Sequence, residues 1–215
     1  MKQADIAALC RYPCIIWDMD GTILDSMPYW AHLGRDYLIH VGITPPENLS
    51  DVIDAMTMEE SARYFRCELG LAKTEAEIIE GVFALIEEKY RNVILAKEFA
   101  ARAIPAAHAA GCRMCVLTTS SKELAQAALK RVGLLSCLEA VVTTDELGMD
   151  KRSGAIYEKT CEAMGFDIRQ TLICEDVLHA VTAAKQTKAH VLAVYDAYSD
   201  ADWAAMTRAA DLYIR

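Results

Sequence analysis

Two aspartates, Asp18 and Asp20, stand one residue apart directly after the short apolar run Cys14–Trp17. Carboxylates this close repel each other, and a bare pair would raise one of the two pKa values. A divalent cation relieves that repulsion, and the second carboxyl can then hold a proton for transfer. Gly21, which follows the pair, permits a tight turn whose backbone N–H groups can point at an anion. An isolated Asp-x-Asp is more often an ordinary turn or helix cap, so the pair needs support from elsewhere in the chain.

Polar side chains also follow three later apolar runs. Taken singly they are ordinary, because hydroxyl and acidic residues cap helices and a lone lysine is usually a solvated surface residue. Together they offer oxygen ligands of the kind Mg²⁺ prefers, hydroxyl groups for a phosphate oxygen, and a cation for a transferring phosphoryl group. They are Thr119 and Ser120 after Arg113–Leu117, Lys151 after Leu138–Val142, and Glu175 and Asp176 after Thr171–Cys174.

Apolar runs alternate with helical stretches in most of the chain, which predicts an α/β fold: a Rossmann-like parallel sheet with helices on both faces. Ligands of such sheets bind beyond the carboxyl ends of the strands, which is where the polar residues fall. Glycine directly after two of the helical stretches is the expected stop signal. A fifth strand is predicted at Val191–Val194, and helices are predicted at Lys122–Val132, Gly154–Met164 and Asp176–Thr187.

Residues 28–97 break this alternation, because they contain no strand candidate of comparable strength. Thr57-x-x-Glu60 and Thr74-x-x-Glu77 each have the form of a capping box before an apolar-periodic run. The sequence therefore predicts an all-helical unit over 28–97, inserted after the first strand of a core formed by residues 1–27 and 98–215.

The composition is that of a folded protein, with 53% hydrophobic and 25% charged residues. A net charge of −9 argues against nucleic acid or an anionic membrane as the main partner. No apolar run approaches the roughly 20 residues of a spanning helix, and Met1–Arg11 lacks the pattern of a signal peptide. We therefore expect a cytoplasmic protein with free thiols, in which Cys112-x-x-Cys115 belongs to the core rather than to a metal or redox site.

The segment Asp18–Ser26, DMDGTILDS, resembles the DxDGTxxDS motif of the haloacid dehalogenase-like hydrolases. Later motifs of that family match in order, since Val116–Ser121 is similar to the second, Lys151 to the third and Glu175-Asp176 to the fourth. The resemblance runs from about Cys14 to Val194. The helical insert is similar to the cap of the subfamily that includes phosphoglycolate phosphatase and β-phosphoglucomutase.

This resemblance implies a Mg²⁺-dependent phosphatase that hydrolyses a small phosphate monoester through an aspartyl phosphate. Asp18 would be the nucleophile, and Asp20 would protonate the leaving oxygen and then accept a proton from water. Thr119 and Lys151 would complete the catalytic set. The implied phosphate-binding residues are Met19, Gly21, Thr119, Ser120 and Lys151, and the implied metal ligands are Asp18, Asp20 through its backbone carbonyl, Glu175 and Asp176.

A phosphomutase of the β-phosphoglucomutase type is the alternative function. Trp30 stands where those mutases usually carry a histidine, and they tend to lack the threonine found here as Thr22, so both positions favour the phosphatase. A dehalogenase would not need Asp20. A phosphonate hydrolase would need a reactive cap lysine, whereas Lys73 and Lys89 have the pattern of solvated helix residues. A non-catalytic binding protein on the same fold is disfavoured because no reacting residue is missing.

Some positions depart from the family pattern without removing a reacting group. Arg152 stands where proline often follows the third-motif lysine, Val177 stands where serine is common, and Leu95–Phe99 lacks the usual Lys-Pro-Gly of the cap hinge. The partner is expected to be a small phosphorylated metabolite, and substrate selection is expected in the insert. The candidates there are Tyr29, Trp30, His32, Arg63 and Arg66, with Tyr64 as a further wall.

Overall fold

The computed structural model describes residues 2–53 and 56–215. Contacts between Cα atoms divide the chain into two compact units, Met1–Met27 with Ile94–Arg215 and Pro28–Val93. The α-helices are α1 (Ile6–Leu9), α2 (Met27–His40), α3 (Leu49–Ile53), α4 (Met58–Cys67), α5 (Glu75–Asn92), α6 (Glu98–Ala109), α7 (Lys122–Arg131), α8 (Thr144–Leu147), α9 (Ala155–Met164), α10 (Leu178–Lys185) and α11 (Trp203–Ala209).

The first unit is built on a parallel sheet whose strand order is β1-β7-β6-β5-β2-β3-β4. All four residues of β2 are buried, although successive side chains of a strand point to opposite faces, so both faces of the sheet are covered. The predicted α/β fold class is therefore confirmed. The strands are β1 (Lys2–Gln3), β2 (Cys14–Trp17), β3 (Arg113–Thr118), β4 (Ala140–Thr143), β5 (Thr171–Glu175), β6 (His190–Val194) and β7 (Leu212–Ile214).

The five predicted strands all form, with small shifts at their ends. Strand β4, predicted to begin at Leu138, begins at Ala140, because Leu138 ends the 3-10 turn Leu135–Cys137. Helix α10 begins at Leu178 and not at Asp176, since Val177 is extended (φ −123°, ψ 142°). Asp176 thereby belongs to the loop at the end of β5 and not to the helix.

Two short strands near one edge of the sheet, β1 and β7, were not predicted. They pair with each other over Lys2↔Leu212 and Gln3↔Tyr213, and β7 also pairs with β6. Strands of two and three residues are too short to show an alternating pattern, and their pairing joins the two ends of the chain.

The second unit is helical throughout its described part. Both predicted capping boxes form: Thr57 with Glu60 begins α4, and Thr74 with Glu77 begins α5. Tyr37 stacks on Phe65 with 6.5 Å between ring centroids, which anchors α2 to α4. The unit ends at Val93, whereas the predicted insert ran to residue 97.

The eight cysteines are free thiols. Cys112 and Cys115 are buried, and burial raises the pKa of both thiols, as expected for core residues. Among the described residues, none of the helices combines the length and apolar character needed to cross a membrane.

Candidate active site

The loop after β2 carries the first motif and is held by its own backbone hydrogen bonds. The N–H groups of Ile23 and Leu24 donate to the Met19 carbonyl at 2.9 and 2.8 Å, and the Gly21 N–H donates to the Leu24 carbonyl at 2.9 Å. Gly21 has a φ of +82°, and a Cβ on it would lie 2.0 Å from Asp176 Oδ2. Glycine is therefore required at this position for two separate reasons. The Gly21 amide is engaged within the loop, and anion binding by the loop's backbone N–H groups stays a prediction.

Lys151 lies at the centre of the buried charges. Its ammonium contacts Asp18 Oδ1 and lies 3.0 Å from Glu175 Oε1. Burial lowers the pKa of Lys151, but the carboxylates of Asp18 and Glu175 outweigh this and raise it above its ordinary value. Lys151 is thus a fixed cation between two carboxylates that belong to different strand ends.

Tyr157 of α9 also contacts Glu175, because its hydroxyl donates at 2.9 Å to Oε1, the oxygen that lies 3.0 Å from the Lys151 ammonium. Burial raises the pKa of Glu175 to about 7, and the Asp18 charge adds to this while Lys151 opposes it. Burial and the Glu175 carboxylate also raise the pKa of Tyr157, so its hydroxyl stays protonated and can donate.

Asp18, Glu175 and Asp176 could hold a metal ion. Each offers a carboxylate oxygen, and these oxygens lie within 4.8 Å of one another. Asp18 Oδ2 and Asp176 Oδ2 are buried without a hydrogen-bond partner among the described residues, whereas Thr22 reaches Asp176 Oδ1 at 3.4 Å. Burial and the neighbouring Asp18 and Glu175 charges raise the pKa of Asp176 well above its ordinary value. Unpaired buried carboxylate oxygens in this arrangement fit a hard divalent cation such as Mg²⁺.

Asp20 is oriented by two serine hydroxyls. Ser26 Oγ donates to Asp20 Oδ1 at 2.7 Å, and Ser120 Oγ donates to Asp20 Oδ2 at 3.0 Å. The Ser120 N–H donates to Thr118 Oγ1 at 3.0 Å. Ser120, predicted to offer its hydroxyl and N–H to a phosphate, therefore uses both of these donors within the protein.

A cavity of about 280 Å³ collects six of the nine residues predicted to be catalytic, phosphate-binding or metal-binding, and its lining belongs to the first unit. Thr119 is exposed on its wall, as a residue that contacts a ligand must be. Met19, in the first-motif loop, is fully buried. The cavity is lined by Asp18, Asp20, Met27, Thr119, Asp150, Lys151, Arg152, Glu175, Asp176, Val177 and His179.

Sequence reasoning missed Tyr157, Lys97 and His179. Lys97 Nζ donates to the carbonyls of Gly21 and Tyr195, both at 2.7 Å, and to Asp196 Oδ2 at 2.8 Å. The sequence places Lys97 in the predicted insert, but in the structure it lies in the first unit. Its hydrogen bond to the Gly21 carbonyl holds the first-motif loop. A lysine beside a predicted domain boundary gives no sign of partners that lie 76 and 99 residues away.

The candidates in the second unit have partners within that unit. The Trp30 indole N–H donates to the Tyr90 hydroxyl at 2.8 Å. Arg63 and Arg66 are exposed and lie 3.4 and 3.7 Å from Glu75 Oε1. Tyr29 is half-buried and His32 is exposed. Their part in substrate selection stays a prediction.

The family model of the haloacid dehalogenase-like hydrolases matches residues 15–194. The chain therefore belongs to this family, as its four motifs indicated. Among similar proteins, a fructose-1-phosphate phosphatase of Escherichia coli (strain K12) is 27% identical over 81% of this chain and 92% of its own length. Hexitol phosphatase A of the same organism is 25% identical over 83% and 81%. A phosphoglycolate phosphatase of Rhodobacter capsulatus is 26% identical over 63% of each chain. These matches support the prediction that the chain is a phosphohydrolase.

Solved structures share the fold. A Thermotoga maritima protein described as a β-phosphoglucomutase superposes with a TM-score of 0.82 at 18% identity, over 94% of both chains. CbbY of Rhodobacter sphaeroides in complex with phosphate gives a TM-score of 0.71 at 19% identity, over 94% of this chain and 93% of that one. At these identities the likeness bears on the fold alone.

Proposed function

We propose that the protein hydrolyses a small phosphate monoester through a phosphorylated Asp18, with Mg²⁺ as cofactor. The observation that carries the proposal is the different surroundings of the two oxygens of the Asp18 carboxylate. One of its oxygens is held by Lys151, and the other is buried without a partner, close to oxygens of Glu175 and Asp176. A carboxylate oriented in this way can present one oxygen to phosphorus while a cation stands beside the charge that is transferred.

The reaction divides into two displacements on phosphorus. In the first, the bond between an Asp18 oxygen and phosphorus forms, the bond to the leaving oxygen breaks, and Asp20 gives its proton to that oxygen. In the second, water attacks phosphorus, the bond to Asp18 breaks, and Asp20 takes up the proton that water loses. The hydroxyls of Ser26 and Ser120 hold Asp20 in one orientation for both transfers.

Asp18, Asp176 and Glu175 would hold the metal, with the Asp20 carbonyl as a further ligand. A bound Mg²⁺ supplies positive charge that lets neighbouring carboxylates stay ionised beside a phosphate. Tyr157 donates a hydrogen bond to Glu175 and would orient it, which is the usual role of an outer partner of a ligand. Thr119, on the cavity wall, would donate to a phosphoryl oxygen.

The small-metabolite prediction carries over as part of this proposal. The fructose-1-phosphate and hexitol phosphatases of E. coli named above support a phosphorylated metabolite as substrate. The net charge of −9 disfavours nucleic acid and anionic membranes as partners, and eight free cysteines suit the reducing cytoplasm.

A phosphomutase is the second candidate, since the β-phosphoglucomutase-like structure from T. maritima has the same fold. A mutase returns the phosphoryl group to a sugar, whereas a phosphatase releases it to water. Inorganic phosphate that accumulates in step with substrate loss distinguishes the two functions.

Turnover of p-nitrophenyl phosphate, with Mg²⁺ or with EDTA, tests the proposal. We expect activity only with Mg²⁺, and Asp18→Asn should lower kcat by at least about 1,000-fold, as removal of a nucleophile does elsewhere. Asp145→Asn, at an exposed aspartate in the first turn of α8, is the matched control and should keep full activity. Substantial activity in folded Asp18→Asn protein would exclude Asp18 as the nucleophile.

A further inference from the structure

The loop after β3 brings a hydroxyl group to Asp20, which handles the proton in the proposed reaction. Strands β2 and β3 pair in parallel, with Trp17 beside Val116, so the loops that follow them leave the sheet at the same edge. Asp20 lies in the first of these loops and Ser120 in the second. They meet although 100 residues separate them, since Ser120 Oγ donates to Asp20 Oδ2 at 3.0 Å.

The position of Ser120 is fixed by the strand before it. Its N–H donates at 3.0 Å to Oγ1 of Thr118, the buried last residue of β3. A hydroxyl that accepts from the N–H two residues later closes a turn of the backbone. Thr119, between the two, lines the active-site cavity. The Ser120 hydroxyl is therefore held in place by β3, beside a residue of the cavity wall.

Contacts at both oxygens define the plane of the Asp20 carboxyl group. Ser26, which is fully buried, donates to Oδ1 at 2.7 Å. Ser120 adds the contact at Oδ2, and two anchored oxygens define the plane of a carboxyl group where one does not. A proton passes efficiently only when the carboxyl oxygen faces the oxygen that receives it. Removal of the Ser120 hydroxyl should therefore impair proton transfer without removing a group that reacts.

A hydroxyl group suits both protonation states through which Asp20 passes. In the first displacement the Asp20 proton goes to the leaving oxygen, and in the second a proton returns to Asp20 from water. A hydroxyl is both a donor and an acceptor, so Ser120 can donate to a carboxylate Oδ2 and can accept from a protonated one. A backbone N–H or an ammonium group could only donate. Ser120 thus remains a partner of Asp20 in both states, and its own proton stays on Oγ.

We propose that Ser120 is the positioning residue of the general acid, and that it directs the Asp20 proton to the leaving oxygen. The proposal rests on the proposed phosphatase function, and it gives Ser120 this role in place of the phosphate contact predicted from the sequence. A leaving oxygen that carries negative charge poorly needs the proton, whereas one that forms a stable anion does not. The contribution of Ser120 to the rate should therefore depend on the leaving group.

The kinetic test compares phenyl phosphate with p-nitrophenyl phosphate. The two esters share a ring, but the nitro group stabilises the departing anion, so the second ester needs little help from an acid. For Ser120→Ala we expect kcat/KM to fall about tenfold or more with phenyl phosphate and less than about threefold with p-nitrophenyl phosphate. Ser120→Thr keeps the hydroxyl and should retain the wild-type ratio of the two values. An unchanged ratio in Ser120→Ala would overturn the proposal, and so would a threonine variant that behaves like the alanine variant.

Ser121→Ala is the matched control, because the hydroxyl of this neighbouring serine has a structural role. It accepts from the Leu124 N–H at 3.4 Å and so caps α7. Its loss should lower the melting temperature but leave the ratio unchanged. The ratio does not depend on the amount of folded enzyme, since unfolded protein lowers both rates equally. A wild type that hydrolyses neither ester would exclude both proposals, whereas turnover with an unchanged ratio in Ser120→Ala would exclude only the role of Ser120.

Discussion

Replacing Lys97 with methionine tests whether one buried cation fixes the first-motif loop. Lys97 Nζ contacts two segments: the first-motif loop, through the Gly21 carbonyl, and the stretch after β6, through the Tyr195 carbonyl and the buried carboxylate of Asp196. Methionine keeps most of the apolar stem and removes the ammonium. The Asp196 side chain is only 4% exposed, so its Oδ2 would lose its charged partner in a place that water scarcely reaches.

The expected loss follows from that burial. Removing one partner of a buried ion pair costs about 3–5 kcal/mol, because the remaining charge stays buried and uncompensated. The Lys97 side chain is 18% exposed, and Asp196 Oδ1 keeps the Tyr198 N–H at 2.9 Å, so we expect the lower end of that range, about 3 kcal/mol. The Gly21 carbonyl also loses its donor, so kcat should fall as well.

Urea unfolding measures the loss, and Lys122→Met is the matched control. Lys122 pairs with Glu146 at 2.7 Å, but the two side chains are 42% and 45% exposed, so its removal should cost less than about 1 kcal/mol. Asp196→Asn and the double variant complete a double-mutant cycle. If Lys97→Met costs no more than Lys122→Met, or if the losses at Lys97 and Asp196 simply add, the view of Lys97 as a buried support is wrong.

Three further predictions concern the acidic cavity itself. Gly21→Ala should destabilise the protein and abolish turnover, since its Cβ would meet Asp176 Oδ2 at 2.0 Å, and an unchanged melting temperature with normal activity would contradict this. Tyr157→Phe should weaken Mg²⁺ binding by about 10- to 100-fold in a metal titration of activity, because Glu175 loses its outer hydrogen bond. In metal-free protein the pKa of Glu175 is raised from 4.5 to about 7, so the folded state holds this proton more tightly than the unfolded state. Its contribution to the free energy of unfolding is therefore full below pH 4.5 and declines towards pH 7, by about 3 kcal/mol. Glu175→Gln should flatten that decline in urea unfolding, and an identical pH profile in both proteins would refute the assignment.

The residues that line the cavity could be predicted from the sequence because the ends of the strands could be predicted. Parallel strands place their carboxyl ends at one edge, and β2 lies between β3 and β5, so Asp18 must approach whatever follows those two strands. The apolar runs therefore indicated both the fold and the acidic cluster. The motif resemblance added roles that spacing alone does not give.

What escaped prediction depends on contacts that no local pattern encodes. Tyr157 has the spacing of a core residue on α9, and only the packing of that helix on β5 brings its hydroxyl to Glu175. The Ser120 N–H is expected from the sequence to face a phosphate, but it donates to the Thr118 hydroxyl.

Charge balance explains why a metal belongs in our proposal. Asp18, Glu175 and Asp176 are three buried carboxylates that lie close together. Lys151 is a cation beside them, and it contacts Asp18 and Glu175. Without a second cation, the raised pKa values of Glu175 and Asp176 mean that protons compensate for the excess charge. A phosphate monoester brings further negative charge to the same place, and protonated carboxylates give it no cation to bind. Metal and protons thus compete to neutralise one cluster, and only the metal leaves Glu175 and Asp176 ionised while it adds positive charge for a bound phosphate.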